Sequence, residues 1–456
     1  MQKKIFLQSQ SDYLYLWILS IDVIIAVAML CSKTVDRAVE RILHDSGAYG
    51  LAVGAVLIFS GVAVIAWRIW MACRYKVYAP VKDEDLPVVT VVIPAYNEGR
   101  QILHTVRSVM NSDYPSDKMR VICVDDGSLD DTWHWMCKAQ GEYPSQLYTL
   151  RQTKNKGKRH ALMAGFVHAT DSAVYVTIDS DSEVVPHTLR HLVSPIVTDF
   201  RVGAVAGNVK ILNLGDGAIP KMMDVFFTTS FDFIRAGQSV YGGVFCTPGA
   251  LSAYRVSTVN PHLTAWADQT FMGIAATIGE DRAMTNIVLK NGFRVVYQRD
   301  AVVLTKVPVT LRGLQRMLLR WARSNVRESL VLATIVLQRF RHGDSGSGWI
   351  RMFSFMQLFQ LTVGETLKLN VFIQLFSHPL FTFLMLTIGG LFSSIVPATI
   401  YYVRYNKLFG WRWAAPYSML SLYVLSWISF WGLMSAARSG WLTREISAAK
   451  RLPAAP

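Results

Sequence analysis

Charge is scarce in this 456-residue chain, and acidic charge is scarcer still. Only 17% of the residues are Asp, Glu, Lys or Arg, against about 25% in ordinary soluble domains. With 52% hydrophobic residues and a mean hydropathy of +0.27, that shortage argues against a purely soluble protein. It also excludes disorder, which needs low hydrophobicity. Cysteines are few and scattered (Cys31, Cys73, Cys123, Cys137, Cys246), with no metal spacing and no disulfide framework. They suit reduced cytoplasmic or membrane thiols. No repeat or low-complexity segment is evident. Acids are rarest after Ala301, where 17 Lys and Arg face 4 Asp and Glu. Nearly all of the net charge of +14 therefore lies in the last third. Such an excess suggests nucleic acid, an anionic membrane surface or a phosphorylated substrate as partner.

Long apolar runs are present at both ends. Leu14–Cys31 is apolar except for Asp22, and Gly50–Trp67 carries no charge. A membrane span needs about 20 such residues. No cleavage pattern follows the first run, which argues against a signal peptide. Lys3 and Lys4 before the pair, and Arg68, Arg74 and Lys76 after it, place both flanks in the cytoplasm. Pro379–Val403 and Trp413–Ala437 are each uncharged for 25 residues, and each reads as a span. Trp349–His378 is interrupted by Glu365 and Lys368 and reads as one or two interfacial helices. Arg404, Lys407 and Arg412 fall on the outer side of this topology, while Arg438, Arg444, Lys450 and Arg451 pull the C-terminus inward. The expected division is 1–75 (two spans), 76–308 (cytoplasmic domain), 309–378 (interfacial helices) and 379–456 (trailing spans).

Between Pro87 and Pro308 the texture is that of an α/β domain. Short β-branched runs (Val88–Ile93, Val121–Val124, Val174–Ile178) alternate with helical segments such as Gln101–Met110 and Ala161–Thr170. That alternation predicts a mostly parallel sheet with ligand-binding loops at the strands' carboxyl ends.

Three polar clusters stand at those ends: Pro94-Ala95-Tyr96-Asn97-Glu98, Val124-Asp125-Asp126-Gly127-Ser128 and Asp179-Ser180-Asp181. Carboxylates two apart at a strand terminus hold a hard divalent cation, with phosphate and water completing its shell. Caps and turns are the plain alternative for any one cluster, and the order of all three disfavours it. Asn155-Lys156-Gly157-Lys158-Arg159 brings backbone and cations toward a diphosphate, or is a solvated charge run. Cys246-Thr247-Pro248-Gly249-Ala250 lines an acceptor site or is a loop only. Gly279-Glu280-Asp281-Arg282 offers a carboxylate away from the metal, as a general base requires; helix capping is the alternative. Arg312, Arg316, Arg320, Arg323 and Arg327 form one stripe of a helix over Thr310–Leu330, opposite Leu311, Leu314, Leu318 and Trp321. This predicts an amphipathic helix at the membrane–water boundary.

In that order the motifs resemble those of membrane-integrated, processive family 2 glycosyltransferases: hyaluronan, chitin and cellulose synthases and the nodulation chitooligosaccharide synthases. The resemblance covers nearly the whole chain. Gly279–Arg282 with Thr285-Asn286, and Arg320-Trp321-Ala322-Arg323-Ser324, look most like the hyaluronan and chitooligosaccharide branch. Trp441-Leu442-Thr443-Arg444 resembles the Trp-Gly-Thr-Arg gating motif, with Leu442 in place of Gly. Met317 stands where the Gln-x-x-Arg-Trp motif has Gln.

The resemblance implies an α/β GT-A (Rossmann-like) cytoplasmic catalytic domain inserted between N-terminal and C-terminal transmembrane helices, in a multi-pass inner-membrane protein. It implies inverting transfer from UDP-GlcNAc, with UDP-GlcA as a second donor, to a nascent polysaccharide exported through the membrane. Mg²⁺ or Mn²⁺ is the implied cofactor, and membrane lipids are the implied surroundings. Tyr96, Glu98, Asp125, Asp126, Lys158, Asp179 and Arg320 would bind the nucleotide. Asp179 and Asp181 would hold the metal, and Asp281 with Glu280 would be catalytic. Trp321, Cys246, Gly249, Trp441, Thr443 and Arg444 would line the acceptor site and channel. Alternatives are a synthase using one UDP-sugar, a non-processive transferase to a lipid phosphate, and a nucleotide-binding membrane scaffold or transporter. On this reading the basic excess belongs to the membrane surface and a diphosphate, and nucleic acid drops out.

Overall fold

The computed structural model describes residues 56, 59–338, 340–341, 343–365, 368, 371, 375–406 and 408–438. The first expected span, part of the second, and Trp441, Thr443 and Arg444 lie outside these residues. Contacts divide the chain into two units. One contains Tyr75–Asn213, Gln238–Leu361 and the chain from Ile428; the other contains the chain up to Arg74, Leu214–Gly237 and Thr362–Trp427.

In chain order the strands are β1 (Val89–Ala95), β2 (Met119–Asp125), β3 (Leu147–Arg151), β4 (Val174–Ile178), β5 (Ser182–Val184), β6 (Val202–Ile211), β7 (Leu251–Arg255), β8 (Thr270–Phe271), β9 (Ile274–Ala275) and β10 (Arg294–Thr305). The helices used below are α1 (Gln101–Met110), α2 (Thr132–Glu142), α3 (Lys158–His168), α4 (Thr188–Thr198), α5 (Ala218–Phe227), α6 (Glu280–Lys290), α7 (Leu311–Val336), α8 (Gly346–Phe359), α9 (Pro379–Tyr405), α10 (Phe409–Tyr423) and α11 (Trp427–Met434).

The first unit holds an eight-stranded sheet in the order β3-β2-β1-β4-β7-β6-β10-β5. Both β1 and β4 are buried along their whole length. This explains why they read as unbroken apolar runs: a central parallel strand is covered on both faces. β1 pairs in parallel with β2 on one side and with β4 on the other. The strand order therefore reverses at β1, and the carboxyl ends of β1, β2 and β4 open on one crevice. β7 runs antiparallel to β4 and β6, and β5 antiparallel to β10.

Gly127 seals the turn after β2. Its φ is +73°, and a Cβ there would lie 2.7 Å from the Lys154 carbonyl carbon and 2.8 Å from the Asn155 nitrogen. Gly127→Ala must strain the backbone and push apart two chain segments. It is expected to cost about 2–4 kcal/mol, seen as a lower thermal midpoint; an unchanged midpoint would refute this account of the turn.

α7 departs from its expected setting. Thr310 caps it, its hydroxyl accepting from the Gly313 amide at 3.2 Å. Yet the arginine stripe is not one polar surface, because Arg323 and Arg327 are buried. Arg323 Nε donates to Ser435 Oγ at 3.0 Å, and Arg327 donates to the Ile278 carbonyl and to Glu328 Oε1. Internal acceptors take these two guanidinium groups, so the later part of the stripe is enclosed, while Arg312 is exposed and Arg316 and Arg320 are half-buried.

In the helical unit, Tyr401 donates to Asp224 Oδ2 at 2.8 Å and Arg404 Nε lies 3.2 Å from Asp232 Oδ2, so two buried carboxylates are partnered. Among the described residues, α9 is the helix that by itself is long and apolar enough to cross a membrane. The run Trp413–Ala437, expected as one span, is broken between α10 and α11. At the break the Trp427 indole donates to the Val424 carbonyl at 2.9 Å, taking up an acceptor that a continuous helix would have used.

Candidate active site

The loops after β1, β2 and β4 are tied to one another. Asn97, at φ +52°, donates its amide to Ser128 Oγ (3.0 Å) and accepts from the Leu129 amide at Oδ1 (2.8 Å). Thr132 Oγ1, at the start of α2, receives the Glu98 and Gly99 amides at 2.8 and 2.9 Å. The Glu98 carboxylate accepts from Ser180 Oγ at 2.9 Å, joining the third loop. Tyr96 follows β1 directly and is half-buried.

Asp125 is fully buried; its Oδ1 accepts from the Ser128 amide (2.9 Å), and Oδ2 lies 3.2 Å from Arg151 Nε. Arg151 in turn lies over the Trp133 ring, 5.3 Å from its centroid. Asp126 accepts the Lys156 and Gly157 amides, each at 2.8 Å. Burial pushes its carboxyl up, outweighing those two bonds. The Asn155–Arg159 run is thus no solvated stretch at its C-terminal end. Arg159 is buried, and Lys158 enters a carboxylate cluster.

Lys158 Nζ pairs with Asp179 Oδ1 and lies 3.1 Å from Glu280 Oε1. Burial opposes the ammonium charge, but the Asp179 and Glu280 carboxylates prevail and raise its pKa. Gly249 closes against this group: a Cβ there would stand 2.5 Å from Lys158 Nζ and 3.6 Å from Glu280 Oε1. Glu280 and Asp281 begin α6 behind the cap residue Gly279, which sits at φ +76°. Their two readings, helix start and chemical site, are both met, since carboxylates suit a helix N-terminus. Burial resists the Glu280 charge, but Lys158 and then Arg320 hold its pKa down. Asp281 moves the other way, raised first by burial and then by the Glu280 charge.

Cys246 Sγ donates to Asp281 Oδ2 at 3.5 Å, and the Arg282 amide donates to Oδ1 at 2.8 Å. Glu280 and Asp281 line a small cavity of about 10 Å³, room for one water, together with Gly249, Trp266, Tyr254 and Leu162. Arg320 and Trp321 are neighbours on α7, both half-buried.

Among the described residues no three His, Cys, Asp or Glu side chains gather as a metal cage. Asp179 is partly exposed, and Asp181 Oδ1 accepts from Ser182 Oγ (3.2 Å) and Thr305 Oγ1 (3.4 Å). Two hard carboxylates without a full protein cage fit Mg²⁺ or Mn²⁺, which keep water and take phosphate oxygens as further ligands.

The profile of the family described as "Glycosyltransferase like family 2" matches residues 87–324, slightly more than half of the chain. The chain belongs to the family 2 glycosyltransferases. This glycosyltransferase is 30% identical to a hyaluronan synthase of Streptococcus pyogenes over 395 residues, covering 84% of this chain and 90% of that one. It is 35% identical over 253 residues to an N-acetylglucosaminyltransferase of Rhizobium meliloti, covering 55% of this chain and 59% of the relative. A mannosyltransferase from Pyrobaculum calidifontis, solved with GDP-Man and Mn²⁺, superposes with a TM-score of 0.55 over 85% of this chain and 97% of its own, at 22% identity. That likeness fixes the fold as GT-A. The enzyme is a hexosyltransferase.

Sequence reasoning about this glycosyltransferase missed Arg151, Arg159, Gln269 and Glu328, and placed Arg327 only in the arginine stripe of α7. Arg159 was lost within a basic run. Glu328 carried a signal, being one of only four acids after Ala301 and standing directly beside an arginine.

Proposed function

We propose that this chain is a membrane-integrated synthase that adds sugars from UDP-sugar donors to a β-linked polysaccharide and exports the product as it grows, in the manner of hyaluronan synthase. The observation that carries the reading is the ion cluster of Lys158 with Asp179 and Glu280, next to Asp281, at the carboxyl edge of the sheet. Asp281 is the base: it takes the proton of the acceptor hydroxyl as that oxygen attacks the anomeric carbon and the bond to the UDP oxygen breaks. Its raised pKa makes the ionised carboxylate a stronger base than an ordinary aspartate. In-line attack inverts the anomeric centre.

Asp179 and Asp181 are the residues that would hold a divalent cation, which supplies charge neutralisation to a departing diphosphate. Lys158 keeps Asp179 and Glu280 in place beside the nucleotide, and Arg320 adds positive charge for the leaving UDP. Tyr96, Glu98, Asp125 and Asp126 form the nucleoside side. Trp321, Cys246 and Gly249 form the acceptor side, continued by Trp441, Thr443 and Arg444 as a gating segment.

The flanking helices are the membrane part, the sheet unit is cytoplasmic, and the protein is multi-pass in the inner membrane. The apolar surface of α9 supports this: only 28% of its apolar window is buried, and Leu380, Phe392 and Val403 are each more than 70% exposed. A polar polymer cannot cross lipid unaided, so synthesis and export belong together.

The donors are UDP-GlcNAc and UDP-GlcA. Purified enzyme given both is expected to make polymer at least about tenfold faster than with either alone, because each addition needs the other sugar at the acceptor end. Polymer from UDP-GlcNAc alone would replace this reading with a chitooligosaccharide-type synthase, which the R. meliloti relative favours.

A further inference from the structure

A second polar cluster lies in the sheet-bearing unit, apart from Lys158 and its carboxylates. It consists of Arg159, Gln269, Asn286, Arg327 and Glu328; all but Gln269 are less than 5% exposed. Arg159 Nη1 donates to the Trp266 carbonyl (2.6 Å) and to Gln269 Oε1 (2.8 Å). Gln269 Nε2 passes the contact on to Glu328 Oε1 (3.2 Å), which also accepts from Arg327 Nε (3.1 Å). Asn286 Nδ2 donates to the Glu328 carbonyl (3.0 Å) and to its Oε2 (3.1 Å). Arg327 reaches the Ile278 carbonyl, and the Trp266 indole donates to the Glu280 carbonyl at 3.0 Å.

These bonds share a destination. Trp266, Gln269, Ile278 and Asn286 all belong to the stretch that carries Glu280 and Asp281. Glu328 lies on α7, about two turns beyond Arg320, and Arg159 directly follows Lys158 at the start of α3. The cluster therefore links three elements that must meet at one reacting centre: the lysine of α3, the acids of α6 and the Arg-Trp pair of α7. Among the described residues Arg159 Nε and Nη2 have no hydrogen-bond partner, and burial opposes its charge more than Glu280 and Glu328 support it through space. A buried group of two guanidinium ions and one carboxylate is an inefficient way to gain stability, since apolar replacements often serve as well. What it supplies is fixed relative geometry.

We propose that Glu328, through Gln269 and Arg327, is a positioning residue for sugar transfer, fixing α7 to the segment that presents Asp281. It acts on Asp281 and Arg320 without itself touching donor or acceptor. The inference rests on the reading of Asp281 as base. If Asp281→Asn transfers sugar normally, that reading fails; if only the variants below behave as wild type, this inference alone fails.

The test uses the full chain, with transfer rates measured against UDP-sugar concentration and UDP binding followed by calorimetry. Gln269→Met is expected to lower kcat about tenfold and Glu328→Gln about thirtyfold, with donor KM and UDP affinity within twofold of wild type. The paired change Arg327→Met with Glu328→Leu removes one buried charge of each sign and leaves Arg159 facing Glu280, and is expected to bring the thermal midpoint closer to wild type than Glu328→Gln does, but not to restore kcat. Recovery of kcat to within threefold in that double variant would overturn the proposal, because the cluster would then only hold the fold. Unchanged kcat in Gln269→Met would overturn it equally. Should the Glu328 variants fail to fold, Gln269→Met decides alone, as it leaves every charge in place.

Discussion

Asp281→Asn is expected to reduce sugar transfer by about 10²–10⁴-fold, the range that a positioned general base supplies, while UDP binding persists. The amide keeps the shape of the side chain and can still accept the Arg282 amide, but it cannot take a proton. Burial and the Glu280 charge both disfavour the ionised form of Asp281, so its pKa stands above the ordinary carboxylate value. Two consequences follow with fixed signs. In the wild type, kcat falls as pH drops through that raised value, so the acid limb lies above about pH 4, where an unperturbed carboxylate would put it. An acid raised on folding contributes stability below its unfolded pKa and loses it as pH rises through the folded one. Above that raised value the ionised group is thus a burden that the amide removes. The inactive variant should therefore melt at or above the wild-type temperature. More than a tenth of wild-type activity in Asp281→Asn would sink the assignment, and a lower melting point would contradict the electrostatic account.

Local order was legible where neighbours in sequence decide it. The Gln101–Met110 pattern is the helix observed, and Val174–Ile178 is the strand observed, because periodicity and β-branched runs depend on few distant partners. The polar clusters at the ends of β1, β2 and β4 meet because a parallel sheet brings carboxyl ends together. Partners far along the chain were not legible. Spacing put Arg323 and Arg327 on one face of α7, but nothing local states that the Ile278 carbonyl, 49 residues earlier, takes the Arg327 guanidinium. Likewise Leu214–Gly237 reads as part of a soluble domain. It groups with the trailing helices through contacts such as that of Asp224 with Tyr401, 177 residues on. Trp413–Ala437 shows the same limit in reverse: uniform apolarity sets a length, and the break at Val424 is a matter of local hydrogen bonding.

Lys158→Met is expected to lower kcat/KM by about 10²–10³-fold, the scale for losing one preorganised charge in an active site. The lysine touches Asp179 and Glu280, so its loss leaves two carboxylates facing each other in a poorly solvated place. Removing one partner of a buried ion group typically costs about 3–5 kcal/mol. The variant should therefore also unfold at a lower temperature, unlike Asp281→Asn. Gly249 separates the two contributions. A methyl at 249 would stand 2.5 Å from Nζ, so Gly249→Ala displaces the ammonium without removing its charge. Its expected effect is about tenfold on kcat, with little change in melting. Lys158→Arg keeps the charge but needs more room than Gly249 leaves, and is expected to stay near the methionine variant rather than near wild type. Activity of Lys158→Met within fivefold of wild type would mean that the three-way ion contact is structural, and that the carboxylates are held in register by the backbone alone.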